Sequence, residues 1–345
     1  MNTEIKNLLR PHILTIKPYQ SARQEFVNDG RSMTLLDANE NPFDSGVNRY
    51  PDPFQWDLKR AIARHKNVEP DQLFFSNGSD ELIAQLIQLF CNPSKDAVLI
   101  APPTFGMYAV AASIHDVAVK KVPLTRDFQL DVDGLLAATD AQTKLLFIPT
   151  PNNPTGQHFS KEKLRKLAEN FNGILVVDEA YIEFSDEPSM IPWINEFPRF
   201  VVCQTFSKAQ GMAGIRLGVA FAQSDLIACL NRIKFPYNIN VLTQQSALAV
   251  LEDQQRISEE ITTLLHEKER LKKALIDCSF VQKCYPSDAN FFLIRVDDAQ
   301  KRYQELLKAG IVVRNTSKYL YCENTLRITV GTPEENQALL TLLKK

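Results

Sequence analysis

Phe200-Val-Val-Cys-Gln-Thr205-Phe-Ser-Lys208-Ala-Gln-Gly-Met-Ala-Gly-Ile-Arg216-Leu-Gly-Val-Ala-Phe221 decides the fold class. The apolar runs 200–203 and 217–221 read as short buried strands, so the polar, glycine-bearing segment between them is a connection at a strand end. Open α/β sheets place their ligands at such ends. Working outward, the same grammar fills residues 54 to 235. Runs 97–100, 118–122, 145–148 and 174–177 are further strand candidates. Between them lie helical patterns, with Leu82, Ile83, Leu86, Ile87 and Phe90 on one face and a polar stretch at 161–170. The expectation is an α/β fold with a mostly parallel sheet covered by helices.

After Tyr237 the texture changes. One long helical stretch, 241 to about 277, precedes strand candidates 291–296, 311–314 and 326–330, with helical patterns at 299–309 and 333–343. This predicts a smaller α+β domain. The division expected is an amino-terminal arm over 1–40, a large domain over 41–240 and a small domain over 241–345.

Composition narrows the function. The chain has 345 residues, 44% hydrophobic and 23% charged, and its 39 basic and 41 acidic side chains give a formal charge of −2. That is a globular composition with no field to attract nucleic acid or an anionic membrane. Apolar runs stop at four to six residues, against the roughly 20 a membrane helix needs. The first residues carry no apolar signal segment, and six scattered cysteines lack C-x-x-C spacing, so reduced thiols in a cytoplasmic protein are expected and a zinc site is not.

Four segments carry chemistry. Lys208, between strands, can serve as a Schiff-base amine, with Thr205, Ser207 and Arg216 able to donate hydrogen bonds to a nearby phosphate. Read alone, it is far more often a solvated lysine in a glycine-containing loop, and only its context overturns that reading. Ile174-Leu-Val-Val-Asp178-Glu-Ala-Tyr181 ends a buried strand in a carboxylate that can pair with a protonated ring nitrogen, or is a strand running into an acidic turn. Pro149-Thr-Pro-Asn-Asn153-Pro154-Thr-Gly156 is a rigid loop that presents its amides in set directions, with Asn153-Pro154 a candidate cis bond. Phe75-Ser-Asn-Gly78-Ser79-Asp80-Glu81 bends into a helix whose free N–H groups suit a phosphate, though acidic residues stabilise any helix start.

In this order, Asn-x-Gly-Ser-Asp-Glu, Pro-Asn-Asn-Pro-Thr-Gly, Asp-Glu-Ala-Tyr and Ser-Lys followed by Gly-x-Arg resemble the fold-type I pyridoxal-phosphate aminotransferases of class II. Further segments narrow the resemblance to the family of histidinol-phosphate aminotransferases, from the first twenty residues nearly to the last. They are Lys17-Pro-Tyr19-Gln-Ser-Ala-Arg23, Leu36-Asp-Ala-Asn39-Glu40-Asn-Pro, Asn48-Arg-Tyr50-Pro-Asp, Pro102-Pro-Thr-Phe105-Gly-Met-Tyr108 and Leu326-Arg327-Ile-Thr-Val-Gly-Thr.

The resemblance implies roles. Lys208 would bind the cofactor pyridoxal 5′-phosphate and shuttle the substrate Cα proton. Asp178 would hold the pyridinium proton, and Tyr181 and Asn153 would hydrogen-bond the ring's 3′ oxygen. Ser79, Asp80, Thr205, Ser207 and Arg216 would grip the phosphate, with Tyr50 reaching across a homodimer. Phe105 replaces the family's usual ring-stacking tyrosine and keeps the aromatic face. Arg314 and Arg327 would bind the anionic ends of L-histidinol phosphate and of 2-oxoglutarate or L-glutamate in turn, with Tyr19 closing over the substrate phosphate. Asn39 would contact substrate, and Glu40 beside it is placed to line the imidazole end, although Asn-Glu-Asn-Pro is equally a polar turn. The rival activities are an aromatic amino acid aminotransferase and a phospho-amino-acid decarboxylase of the same fold. Gln210 and Asn315 stand where the family commonly has an aromatic or apolar residue and a proline.

Overall fold

The computed structural model describes residues 2–21, 23, 31 and 33–343. Seven strands, β1 (Leu73–Asn77), β2 (Ala97–Ile100), β3 (Ala118–Lys121), β4 (Thr143–Pro149), β5 (Ile174–Asp178), β6 (Phe200–Thr205) and β7 (Leu217–Phe221), form one sheet in the order β1-β7-β6-β5-β4-β2-β3. Strands β2 to β6 pair in parallel, and β7 runs antiparallel to both β6 and β1. The central strands carry unbroken apolar runs, such as 145–148, 174–177 and 200–203, because both faces are covered. Alternate residues enter two cores. Leu146, Ile148, Val177 and Val202 face one, and Leu145, Phe147, Val176 and Val201 face the other. At the edge, β3 carries Lys120 and Lys121, charges that discourage pairing with another chain.

Helices cover each face with the apolar stripe their spacing dictates. The arm helix α1 (Thr3–Leu8), α3 (Ser79–Phe90), α4 (Met107–Ile114) and α7 (Ser224–Ile233) close the second core. On the first core lie α2 (Trp56–Lys66), α5 (Val132–Ala137), α6 (Lys161–Asn170) and α8 (Val241–Glu252). The arm therefore docks on its own chain, burying Ile5, Leu9 and Ile13.

The long helical stretch expected from residue 241 is two helices. Asp253 leaves helical geometry (φ −107°, ψ 50°) between α8 and α9 (Gln254–Ile276), and its carboxylate takes Arg256 Nε at 2.9 Å. Aspartate favours such helix ends. Helix α9 leads into a smaller antiparallel sheet, order β10-β11-β9-β8, of β8 (Val281–Cys284), β9 (Phe291–Val296), β10 (Arg314–Asn315) and β11 (Thr325–Thr329), packed with α10 (Ala299–Lys308) and α11 (Pro333–Leu343). The strand expected at 311–314 shrinks to Arg314 and Asn315. The Ile311 N–H instead turns back to the Leu306 carbonyl at 2.9 Å and closes the end of α10.

Candidate active site

A pocket of about 560 Å³ opens at the carboxyl ends of β4, β5 and β6 and is roofed by β10 and β11 of the small domain. Parallel strands end there in Pro149, Asp178 and Thr205, so the loops that follow them meet at one edge of the sheet.

Asp178 is the floor. It is 5% exposed, and its Oδ2 accepts the Tyr108 hydroxyl at 2.7 Å while Oδ1 accepts the Ala180 N–H at 3.1 Å. Burial pushes its pKa up, against these two hydrogen bonds and the Lys208 cation; Asp80 adds to the rise. Tyr108 is itself fully buried, stacked on Phe147 at 4.8 Å, and burial and the carboxylate raise its pKa well above the usual tyrosine value. Tyr108 therefore stays a hydrogen-bond donor. Sequence reading assigned it no role: in α4 it looks like one more apolar helix residue, and its partner lies seventy positions away. Phe105 lines the pocket with its ring edge-on to Tyr108, centroids 5.6 Å apart.

Lys208 projects from the β6–β7 connection into the pocket, its Nζ 5.5 Å from the Tyr181 ring centroid. The side chain is exposed to solvent, yet the surrounding protein desolvates it enough that burial lowers its pKa. Arg327 and Arg216 lower it further, and Asp178 and Asp80 oppose them. A lowered pKa makes the free amine available nearer neutral pH. Burial pushes the Tyr181 hydroxyl up to about 12, with Arg327 pulling the other way. Tyr181 packs edge-on to Phe291 at 5.2 Å, and Arg327 lies over the same ring at 5.3 Å. Asn153 Oδ1 accepts from Arg327 Nη1, bridging the two domains, while the neighbouring Asn152 is buried and props the loop through Pro103 O at 3.0 Å and Thr155 Oγ1 at 2.8 Å. The Asn153–Pro154 bond is cis. Arg314 stands exposed at the pocket rim.

The opposite end is built for an anion. Gly78 caps α3 without a side chain, leaving the Ser79 and Asp80 amides of the first turn without intrahelical acceptors. Gly78 has φ +78°, and a Cβ there would fall 2.4 Å from Arg216 Nη2, so only glycine lets the guanidinium lie against the helix start. Arg216 Nη2 sits 3.7 Å from Asp80 Oδ2, while Asp80 Oδ1 is buried with no partner. Thr205 Oγ1 donates to Leu217 O at 3.2 Å and accepts from the Ser207 N–H at 3.1 Å, which fixes the start of the lysine-bearing loop.

Three expected site residues lie elsewhere in the protomer. Tyr19 is 72% exposed in a groove beside Phe54 and Lys234, and so does not close over Arg314 and Arg327 of its own chain. Tyr50 is half-exposed and stacks on Tyr237 at 4.4 Å. Asn39, at φ +55°, shapes a turn outside the pocket. Glu40, rather than facing a substrate ring, is locked by Arg23 at 2.6 Å, Arg49 at 2.8 Å and the Tyr50 N–H at 2.6 Å; these hydrogen bonds outweigh burial and lower its pKa. Gln210 points away to Glu183 at 3.3 Å and Asn315 to Gln300 at 3.2 Å.

The donor set has a definite polarity: a buried carboxylate for a protonated ring nitrogen, an amine beside it, an aromatic wall, and a helix start with arginine for a dianion. Comparison with known proteins agrees. The family model for aminotransferase class I and II matches residues 32–343. A histidinol-phosphate aminotransferase of Flavobacterium johnsoniae is 48% identical over 100% of this chain and 99% of its own. The crystal structure of the histidinol-phosphate aminotransferase from Clostridium acetobutylicum superposes with a TM-score of 0.80 at 26% identity, covering 87% of this chain and 90% of that one. The Sinorhizobium meliloti histidinol-phosphate aminotransferase, solved in complex with pyridoxal-5′-phosphate, shares the fold at a TM-score of 0.78 and 24% identity, over 86% of this chain and 83% of its own. The chain therefore belongs to the class I and II aminotransferase family, in its histidinol-phosphate aminotransferase branch.

Proposed function

We infer that this chain transfers the amino group of L-histidinol phosphate to 2-oxoglutarate, yielding imidazole-acetol phosphate and L-glutamate, with pyridoxal 5′-phosphate as cofactor. The observation that carries the reading is the meeting of Lys208, Asp178, Arg314 and Arg327 in one pocket whose far end is the uncapped start of α3. The free amides at the start of α3 and the bare Gly78 beside Arg216 fit a phosphate-bearing group that completes the site.

Bound there, the cofactor supplies an electron-withdrawing ring that stabilises negative charge at the substrate Cα. Every other part is the chain's own. The Arg216 guanidinium and the Ser79 and Asp80 amides hold the phosphate, with Thr205 and Ser207 beside them. Asp178 holds the ring-nitrogen proton at a carboxylate kept in place by Tyr108 and Ala180. Asn153 and Tyr181 orient the 3′ oxygen, and Phe105 covers the ring. Lys208 Nζ would hold the cofactor at its aldehyde carbon and, once displaced there by the substrate amine, would be the free amine that takes and returns the Cα proton. Arg327 and Arg314 bind the phosphate of the amine in one half-reaction and the distal carboxylate of the keto acid in the other, since a guanidinium fork serves both anions.

We assign the working form as a homodimer in the cytosol. Leu36, Phe43, Tyr50, Phe235 and Leu242 are all more than half exposed, and Tyr50 and Tyr237 join their two segments. Such apolar exposure marks an association surface. Tyr50, being outside its own pocket, is free to serve the partner's. No helix among the described residues is long and apolar enough to cross a membrane.

The deciding experiment is a half-reaction. Purified protein loaded with pyridoxal phosphate is mixed with L-histidinol phosphate and no keto acid, and its visible spectrum is followed. Conversion to the pyridoxamine form is expected; an unchanged spectrum sinks the reading, and carbon dioxide released in a separate incubation with a phospho-amino acid, which unlike histidinol phosphate carries a carboxylate, identifies a decarboxylase.

A further inference from the structure

The loop 149–158 does two things at once. Asn153 faces the pocket and accepts from Arg327, while Gly156 and His158 face residues 287–291 of the small domain. The Asp288 N–H donates to the Gly156 carbonyl at 2.7 Å, and Asp288 Oδ2 accepts from the His158 N–H at 2.8 Å. Gly156 has φ +82°, and a Cβ there would fall 2.4 Å from Ser287 Oγ, so the two segments touch where no side chain fits. Ser287 Oγ in turn donates to the Phe291 carbonyl at 2.5 Å and accepts the Ala289 N–H at 3.2 Å, fixing the turn that enters β9. Beside β9 runs β11, where Arg327 pairs with Leu293 and lies over the Phe291 ring. Lys268, a buried cation on α9, also faces Asp288.

We propose that Asp288 is a positioning residue for substrate recognition: its two hydrogen bonds latch the small domain onto the loop that carries Asn153, so that Arg327 enters the pocket at one fixed place. Asp288 does not line that pocket and acts only through the loop and β9. The inference rests on Arg327 as the anion-binding arginine. Misplacing such a group by a fraction of a bond length weakens binding far more than removing a surface contact does.

The test compares Asp288→Ala, Asp288→Asn and Arg327→Ala as holoenzymes, reading KM and kcat for L-histidinol phosphate and 2-oxoglutarate, the visible spectrum and thermal unfolding. Asp288→Ala should raise both KM values roughly tenfold with kcat changed less than about twofold and the cofactor spectrum unaltered. Asp288→Asn should restore both KM values, because its amide oxygen still accepts the His158 N–H. Wild-type KM values in Asp288→Ala, when Arg327→Ala raises them, overturn the latch alone. The latch is equally overturned if Asp288→Asn is as impaired as Asp288→Ala, which would make the charge facing Lys268 the cause. Wild-type KM values in Arg327→Ala overturn the assignment of Arg327 and the positioning role with it. Should Asp288→Ala not fold, Ser287→Ala loosens the same turn, and unchanged KM values there overturn the proposal.

Discussion

The Tyr108 hydroxyl donates to Asp178 Oδ2 at 2.7 Å from a ring clamped between Phe147 and Phe105. The carboxylate that faces the cofactor pocket is thus aimed from behind by a donor that cannot move. Tyr108→Phe keeps the packing and removes only that donor, leaving Oδ2 buried and short of a partner. A loss of about 1–3 kcal/mol is expected. It should appear as weaker pyridoxal phosphate binding and a lower kcat together, measured by equilibrium dialysis and steady-state kinetics; wild-type values in both would mean that Asp178 needs no orienting group.

Lys208 is placed for nucleophilic work, and its substitution separates chemistry from folding. The Lys208→Ala protein should keep its thermal stability and oligomeric state, because the side chain is exposed and is not part of the apolar core, yet show no turnover and fix no cofactor on borohydride reduction. Normal activity would remove Lys208 from its role.

The lowered Lys208 pKa has a testable sign. Burial is the first cause and the Arg327 cation the second. Only the neutral amine attacks the cofactor aldehyde, so the rate of pyridoxal phosphate loading rises with pH through this pKa. Arg327→Gln deletes the nearby positive charge, so the ammonium is less disfavoured, the pKa rises and the loading profile moves to higher pH. Stopped-flow absorbance across a pH series measures this without any substrate. A profile that stays put or moves to lower pH contradicts the electrostatic coupling.

Gly78→Ala tests the anion end. The added methyl meets Arg216 Nη2 at 2.4 Å on a backbone at φ +78°, a conformation that costs a non-glycine residue roughly 1 kcal/mol or more. Displacing the guanidinium should weaken pyridoxal phosphate binding at least about tenfold, a difference of about 1.4 kcal/mol. Pyridoxal without its phosphate should bind the variant and the parent alike. Equal weakening for both forms would place the damage elsewhere.

The pocket was legible where function coincides with the end of an apolar run. Asp178 and Thr205 terminate buried strands and Asn153 follows one, so strand periodicity alone carries them to one edge. What stayed hidden depends on three-dimensional pairing. Tyr108 looks apolar until Asp178 comes beside it, and Glu40 looks like a turn residue until Arg23 and Arg49 close on it. The break at Asp253 escaped because helical periodicity continues on both sides of it, and β10 because a backbone hydrogen bond to α10 consumes the residues expected to start the strand. Tyr19 and Tyr50 could be assigned ligands by motif, but not whose ligands they serve.

The last prediction concerns that question. Phe235 is 81% exposed and Tyr237, two residues on, stacks on Tyr50 at 4.4 Å, so the segment presents an aromatic surface with no core role in its own protomer. Phe235→Asp loses no intramolecular packing, and its effect on protomer stability should stay within about 0.5 kcal/mol. A charge placed in the centre of an apolar contact is instead costly to bury. Sedimentation velocity should show the parent as a dimer and the variant shifted toward monomer, with weakened cofactor retention if, as proposed, Tyr50 serves the partner's pocket. A parent that sediments as a monomer while fully active would confine the whole site to one chain, and a variant dimer as tight as the parent would move the interface away from this surface.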